Sequence, residues 1–203
     1  MRIIETRQAP NPRRVRIFLA EKSIAVPFEE IDLMAGDLKS AAFTKLNPWR
    51  RVPILVFDDG GVICETVAIC RYFEAMHAEP ALMGVDAFDQ ATVEMWQRRV
   101  ELGLLTHIAH VMRHLNPKMA HLEVPQVAAW GEANKPKVTE ALLALDARLA
   151  DSRFIAGEAY TIADITALVA IDFMRPCKLA LPDGVPNLRR WYAEVAARPS
   201  ASA

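Results

Sequence analysis

Residues 47–66, NPWRRVPILVFDDGGVICET, carry the reading on which the fold turns. Pro53 to Phe57 is a short apolar run, Asp58-Asp59-Gly60-Gly61 is turn chemistry, and Val62-Ile63-Cys64 is a second short run. Two such runs joined by Asp and Gly predict a β-hairpin. Glu65-Thr66 then opens a helical pattern that lasts to about His77. On the other side, the proline after Val52 holds that residue extended.

Working outward, Arg2 to Thr6 reads as a strand, and Val15, Phe18 and Leu19 give one face of a helix running to about Lys22. Pro27 to Ile31 is a second strand, and Gly36 leads into a short helical piece from Leu38 to Leu46. The order strand, helix, strand, helix, hairpin, helix predicts a mixed α/β layer over residues 1–78. Ala78 to Asp86, with Pro80 and Gly84, reads as a linker.

Beyond the linker the period is helical. Val93, Trp96, Val100, Leu104, Ile108, Val111 and Leu115 recur along one face, with Gly103 in mid-helix, where its missing side chain suits a close helix contact. Val138, Leu142, Leu145 and Leu149 mark another helix. Thr161-Ile162-Ala163-Asp164 is a capping box, with Tyr160 and Ile165 at the positions of a hydrophobic staple. The helix it starts is apolar nearly all round to Met174, which predicts a central place in its domain. The fold class is α/β plus all-α, with a helical domain over residues 86–203.

Composition narrows the function classes. Hydrophobic residues are 52% and charged residues 24%, which is globular rather than disordered composition. A net charge of −1 with no basic tract gives nucleic acid no electrostatic footprint. No stretch is long and uncharged enough to span a bilayer, and there is no signal-peptide run, so a cytoplasmic protein is expected. Cys64, Cys70 and Cys177 are odd in number and far apart, which speaks against disulfides and against a zinc site. No metal is expected. His107, His110 and His114 can share a helix face, but lack further ligands at metal spacing and read as surface or interface residues.

Four local patterns, in order and suitably spaced, then agree. Ala9-Pro10 with Arg13-Arg14-Val15-Arg16-Ile17 and Leu19-Ala20-Glu21-Lys22, Asn47-Pro48 through Val52-Pro53, Ile63-Cys64-Glu65-Thr66, and Gly157 with Thr161 to Asp164 resemble the soluble, cytosolic-type, bacterial-like glutathione S-transferase family. The resemblance implies a thioredoxin-like N-terminal domain, an all-helical C-terminal domain forming an acceptor pocket, and a homodimer. It implies glutathione as cosubstrate and a small hydrophobic or oxidised acceptor.

Residue by residue, the resemblance implies a cis Val52–Pro53 bond that leaves the Val52 N–H and C=O for the glutathione peptide to pair with as an added strand. Thr66 and the start of its helix suit the γ-glutamyl carboxylate, with Glu65 for the ammonium group. Arg51 is a candidate for the glycyl end or the cysteinyl backbone, and Lys39 for the glycyl carboxylate. Met95, Arg99 and Leu102 are candidate acceptor-pocket residues, with Trp96 beside them. Where the family commonly places serine or cysteine this chain has Ala9 and Pro12. Asn11 remains, read as N-cap of the first helix with Pro12 at the next position, and also as a donor to a glutathione thiolate. Some bacterial members similar in this region have an asparagine here, which implies peroxide- or disulfide-directed chemistry. Thr6 is a further possible hydroxyl, and Cys64 and Cys70 read as small buried hydrophobes rather than catalytic thiols. An enzyme and a non-catalytic binding module with the same cleft both fit these residues.

Overall fold

The Asp58–Gly61 turn folds β3 (Ile54–Val56) back on β4 (Val62–Cys64), in the register Ile54↔Cys64, Leu55↔Ile63 and Val56↔Val62. Phe57 N–H closes the turn on Gly61 O at 2.8 Å, and Gly60 sits at φ 89°, the left-handed region that favours glycine. A computed structural model describes all residues, Met1 to Ala203. In it β1 (Arg2–Glu5) pairs antiparallel with β3 and parallel with β2 (Phe28–Glu30), giving the sheet order β2-β1-β3-β4.

Alternation along the strands divides the sheet into two faces. Ile4, Ile54 and Val56 pack with Leu38 and Phe43 on one side. The last two belong to a 3₁₀ turn (Asp37–Lys39) and to helix α2 (Ala41–Leu46). The sequence predicts one helical piece here. Extended Ser40 interrupts it instead, its hydroxyl accepting the Phe43 N–H at 3.1 Å to cap α2. Ile3 and Leu55 point the other way, fully buried, as are Val15, Ile17 and Phe18 of α1 (Pro10–Glu21) and Ile69 of α3 (Thr66–Met76), two helices that pack on each other. This is the thioredoxin-like layer.

The chain divides into two compact units, Met1–Ala81 with Pro199–Ala203, and Leu82–Arg198. The sequence reading gives residues 86–203 to the helical domain, but the last five pack with the first unit. The Arg13 guanidinium donates to Ala201 O at 2.8 Å and the Ser200 hydroxyl to the Glu21 carboxylate. At the other end of α1, Lys22 Nζ lies 2.7 Å from Glu74 Oε2 and donates to His77 O and Pro80 O, tying α1, α3 and the following loop together.

The second unit is all helix. The long apolar face predicted from Val93 to Leu115 runs through α4 (Ala87–Val100), a π-helical turn (Glu101–Leu105) and α5 (Thr106–Leu115). Gly103 lies in the π turn, and a Cβ built there meets nothing within 4 Å, so the close contact expected at this glycine is absent. The close approach is at Gly131 of α6 (Ala128–Ala150), where a Cβ would stand 2.6 Å from Leu115 Cγ. Val138, Leu142, Leu145 and Leu149 are buried. So is nearly all of α7 (Ile162–Met174), which packs on α4, on α5 and on α8 (Pro186–Ala196). Thr161 and Asp164 cap α7 reciprocally, as the capping box predicts.

Candidate functional site

The sheet register gathers the first unit's predicted site residues. Ile54 is paired with Ile4 on one side and Cys64 on the other. The N-terminal end of β3, where Val52–Pro53 enters, therefore stands beside the C-terminal end of β1, which leads into α1. It also stands beside the C-terminal end of β4, which leads into α3. Parallel β2 ends at the same edge, with Glu5 opposite Glu30, and carries the chain on toward Lys39.

The Val52–Pro53 bond is cis, as the sequence resemblance implies, and neither the sheet nor a turn uses the Val52 N–H or C=O. Asn47 builds the approach to it. Its side chain is buried, donates from Nδ2 to Arg51 O at 2.9 Å, and accepts from Trp49 N–H at 3.1 Å. Arg51 itself is exposed beside this turn, and Lys39 is exposed at the end of its 3₁₀ turn.

Glu65 precedes α3 at φ 68°, ψ 126°, and is exposed, while Thr66 is the first residue of the helix and is buried. That positive φ turns the chain sharply from β4 into α3 and leaves the first N–H groups of the helix at the sheet edge. The Thr66 oxygen accepts from Arg14 Nη1 at 2.8 Å. Cys64, the residue before, is a poor thiolate. Burial pushes its thiol up, and the charge of Glu65 adds to that. Cys70 is fully buried, as read from the sequence.

The start of α1 differs from the sequence reading. The N-cap is Ala9, extended at φ −79°, ψ 143°, and Pro10 is the first helical residue, so Asn11 lies inside the first turn and caps nothing. Proline suits the first helical position because its φ is already helical and its missing N–H would be unpaired there anyway. With Pro10 and Pro12 in the first turn, the Asn11 N–H is the one backbone donor among the first three helical residues. The Asn11 side chain is exposed beside it. Thr6, the other hydroxyl considered, donates to Ile31 O at 2.7 Å and so serves the sheet.

Arg14 is the residue that sequence reasoning missed. It is fully buried, four residues before Phe18 on the apolar face of α1. A charged residue on a buried stripe is the signal that could have found it. Arg16 is a second case, buried with Nη1 2.6 Å from Glu5 Oε2. Burial pushes the Glu5 carboxyl up, and the guanidinium opposes that.

In the second unit, Met95, Arg99 and Leu102 stand on the exposed side of α4 and the π turn, opposite the buried Val93, Val100 and Leu104. Core packing therefore does not account for them. The Arg99 guanidinium lies over the Trp96 ring at 4.7 Å. The three histidines are half-buried rather than on the surface, because α6 and the segment before it cover them. His107 Nδ1 is 2.7 Å from Asn134 Oδ1, His114 Nδ1 accepts from Val127 N–H at 3.1 Å, and His110 lies between His114 and Trp130. Burial first, and the neighbouring His114 and His107 next, hold the His110 imidazole below its ordinary value. No three His, Cys, Asp or Glu side chains are grouped as a metal ion would need.

The glutathione S-transferase N-terminal domain family matches residues 9–76, and the glutathione S-transferase C-terminal domain family matches residues 100–199. The chain belongs to the glutathione S-transferase family. Glutathione S-transferase 2 of Saccharomyces cerevisiae is 34% identical over 203 residues, covering 98% of this chain and 87% of that protein. The crystal structure of Gtt2 from the same yeast is 33% identical, with a TM-score of 0.95 over 100% of this chain and 99% of that one. A glutathione S-transferase domain-containing protein of Marinobacter aquaeolei is 35% identical, with a TM-score of 0.95 over 98% of this chain and 99% of that one. Family members use glutathione as substrate, and the match to the family's N-terminal domain lies within the first unit. No helix is long and apolar enough to cross a membrane.

Proposed function

We propose that this protein binds glutathione at the sheet edge of its first unit, stabilises the thiolate, and directs it at an electrophile, a peroxide or a disulfide. The observation that carries this reading is the register Ile4↔Ile54↔Cys64, which brings the start of α1, the cis Val52–Pro53 bond and the Glu65–Thr66 step to one edge. Thr66 and the N–H groups of α3 take the γ-glutamyl carboxylate, and Glu65 takes its ammonium group. The Val52 N–H and C=O pair with the cysteinyl backbone as an added strand. Arg51 and Lys39 attract the glycyl carboxylate. Asn11, with its own N–H, faces the sulfur.

Glutathione supplies the nucleophile, so the protein's task is to ionise a thiol that in free solution is only a few per cent thiolate at neutral pH. Donors at the head of α1 do this by favouring the anion. A small hydrophobic or oxidised acceptor meets Met95, Arg99 and Leu102, and the enzyme works as a cytoplasmic homodimer without metal. Ultraviolet absorbance of bound thiolate across pH tests the reading. The midpoint is expected below that of free glutathione, and a midpoint equal to it overturns catalysis by thiolate stabilisation.

One observation favours a second reading. Ala9 and Pro12 stand where the family commonly places a hydroxyl or thiol, so a binding module that holds glutathione without ionising it is the alternative. The same titration decides between them. A screen of hydroperoxides, mixed disulfides and aryl halides then identifies the acceptor class.

A further inference from the structure

Thr66 is the first residue of α3 and is nearly enclosed, at 6% exposed. A threonine further along a helix can give its hydroxyl hydrogen to the carbonyl four residues back. At the first position no helical turn lies behind it, so that outlet is missing. What the hydroxyl has instead is Arg14, fully buried on α1, with Nη1 at 2.8 Å from Thr66 Oγ1.

A guanidinium has donors only, and it stays charged. The contact therefore admits one direction: Arg14 donates and the Thr66 oxygen accepts. That occupies a lone pair and leaves the hydroxyl hydrogen for another acceptor. A charged donor on the oxygen also polarises the O–H bond, which makes it a stronger donor. The hydrogen is released at the head of α3, where the first N–H groups of the helix favour a negative charge.

We infer that Arg14 is a positioning residue for the substrate carboxylate: it sets Thr66 as a hydroxyl donor to the γ-glutamyl carboxylate of glutathione. This rests on the assignment of that carboxylate to Thr66 proposed above. Arg14 touches no reacting atom and acts through Thr66, across 52 residues of chain.

Calorimetric titration of the full chain with two tripeptides tests it: glutathione, and γ-aminobutyryl-cysteinyl-glycine, which lacks only the γ-glutamyl carboxylate. Arg14→Met and Thr66→Val are each expected to weaken glutathione binding roughly tenfold or more, the loss of one hydrogen bond to a charged group, and to leave the analogue within about twofold. The double variant is expected to bind glutathione no more weakly than Thr66→Val alone, because both changes remove one donor. Arg14→Gln keeps an N–H for Oγ1 and is expected to recover part of the loss; it carries the same comparison if Arg14→Met fails to fold. Equal losses for both tripeptides would mean a structural role and overturn the inference. So would full glutathione affinity in the Arg14 variants when Thr66→Val has lost it. Full affinity in Thr66→Val itself overturns the carboxylate assignment beneath.

Discussion

The Trp191 indole N–H donates to Asp164 Oδ1 at 2.8 Å, and neither residue has any exposed surface. The same carboxylate accepts the Ile155 N–H at 3.0 Å, the Thr161 N–H at 2.9 Å and the Thr161 hydroxyl at 3.2 Å. One side chain thus joins α8, the loop before α7 and the cap of α7. Asp164→Ala strands three buried N–H donors at about 1–3 kcal/mol each, so a loss of roughly 3 kcal/mol or more is expected in urea unfolding followed by circular dichroism. Asp164→Asn is expected to recover only part, since its amide N–H groups replace one acceptor oxygen and meet the Thr161 N–H.

Burial pushes the Asp164 carboxyl from 3.8 up to about 6, while its four donors pull the other way. The sign follows from the raised value. Between pH 4 and 6 the folded state holds this proton and the unfolded state has lost it, so the stability from this group is present below about pH 4 and falls as pH rises through 6. The expected fall is on the order of 3 kcal/mol. It is read as the difference between wild type and Asp164→Asn across that range, which cancels the other carboxylates. Above pH 7 the difference is expected to be flat.

Lys22 has a side chain with no exposed surface and a salt bridge to Glu74, itself 15% exposed. Lys22→Met keeps the stem but leaves the Glu74 charge and the His77 and Pro80 carbonyls without the ammonium. Removing one partner of a buried pair is costly even where the pair as a whole contributes little, so a loss of about 3 kcal/mol is expected in chemical denaturation. Lys22→Met with Glu74→Leu is expected to be more stable than Lys22→Met alone.

The two helical glycines separate cleanly. Gly131→Ala places a methyl 2.6 Å from Leu115 Cγ and 3.2 Å from His114 Cβ, so the Leu115 side chain or the helices must shift, and a loss of about 1–3 kcal/mol in thermal or urea unfolding is expected. Gly103→Ala meets nothing within 4 Å and is expected to be neutral or stabilising by up to about 1 kcal/mol through helix propensity.

These residues also mark how far the sequence could be read. The hairpin was legible because Asp-Asp-Gly-Gly is turn chemistry between apolar runs, and the cap of α7 because Thr161 and Asp164 stand at capping-box spacing. Both signals are local. Asn11 was misread as a cap because side-chain preference points to asparagine, whereas backbone geometry decides here: Pro10 already has the helical φ, which moves the cap back to Ala9. Gly103 suggested a contact, but it lies in the π turn with nothing within 4 Å of a Cβ there, and the close approach is at Gly131 of α6, against Leu115. Arg14 and Arg16 show in the sequence only as charges on the apolar stripe of α1, and their partners do not show at all. A charged side chain is expected in water, and the partners that hold these two inside, Thr66 and Glu5, are brought to them only by the fold.

Asn11→Asp joins the structural and the functional readings in one variant. The first turn of α1 holds no acidic residue, so an Asp there meets the helix dipole favourably and is expected to stabilise the protein by about 0.3–1 kcal/mol. On the proposed reading the same carboxylate faces the sulfur of bound glutathione and repels its anion. The thiol midpoint is then expected to rise enough to cut the thiolate at neutral pH roughly tenfold, with the rate of thiol transfer falling in proportion. Thermal unfolding reads the first effect and ultraviolet titration of the bound thiol the second. A more stable variant with an unmoved thiol midpoint would place Asn11 away from the sulfur and leave the Asn11 backbone N–H as the donor at the head of α1.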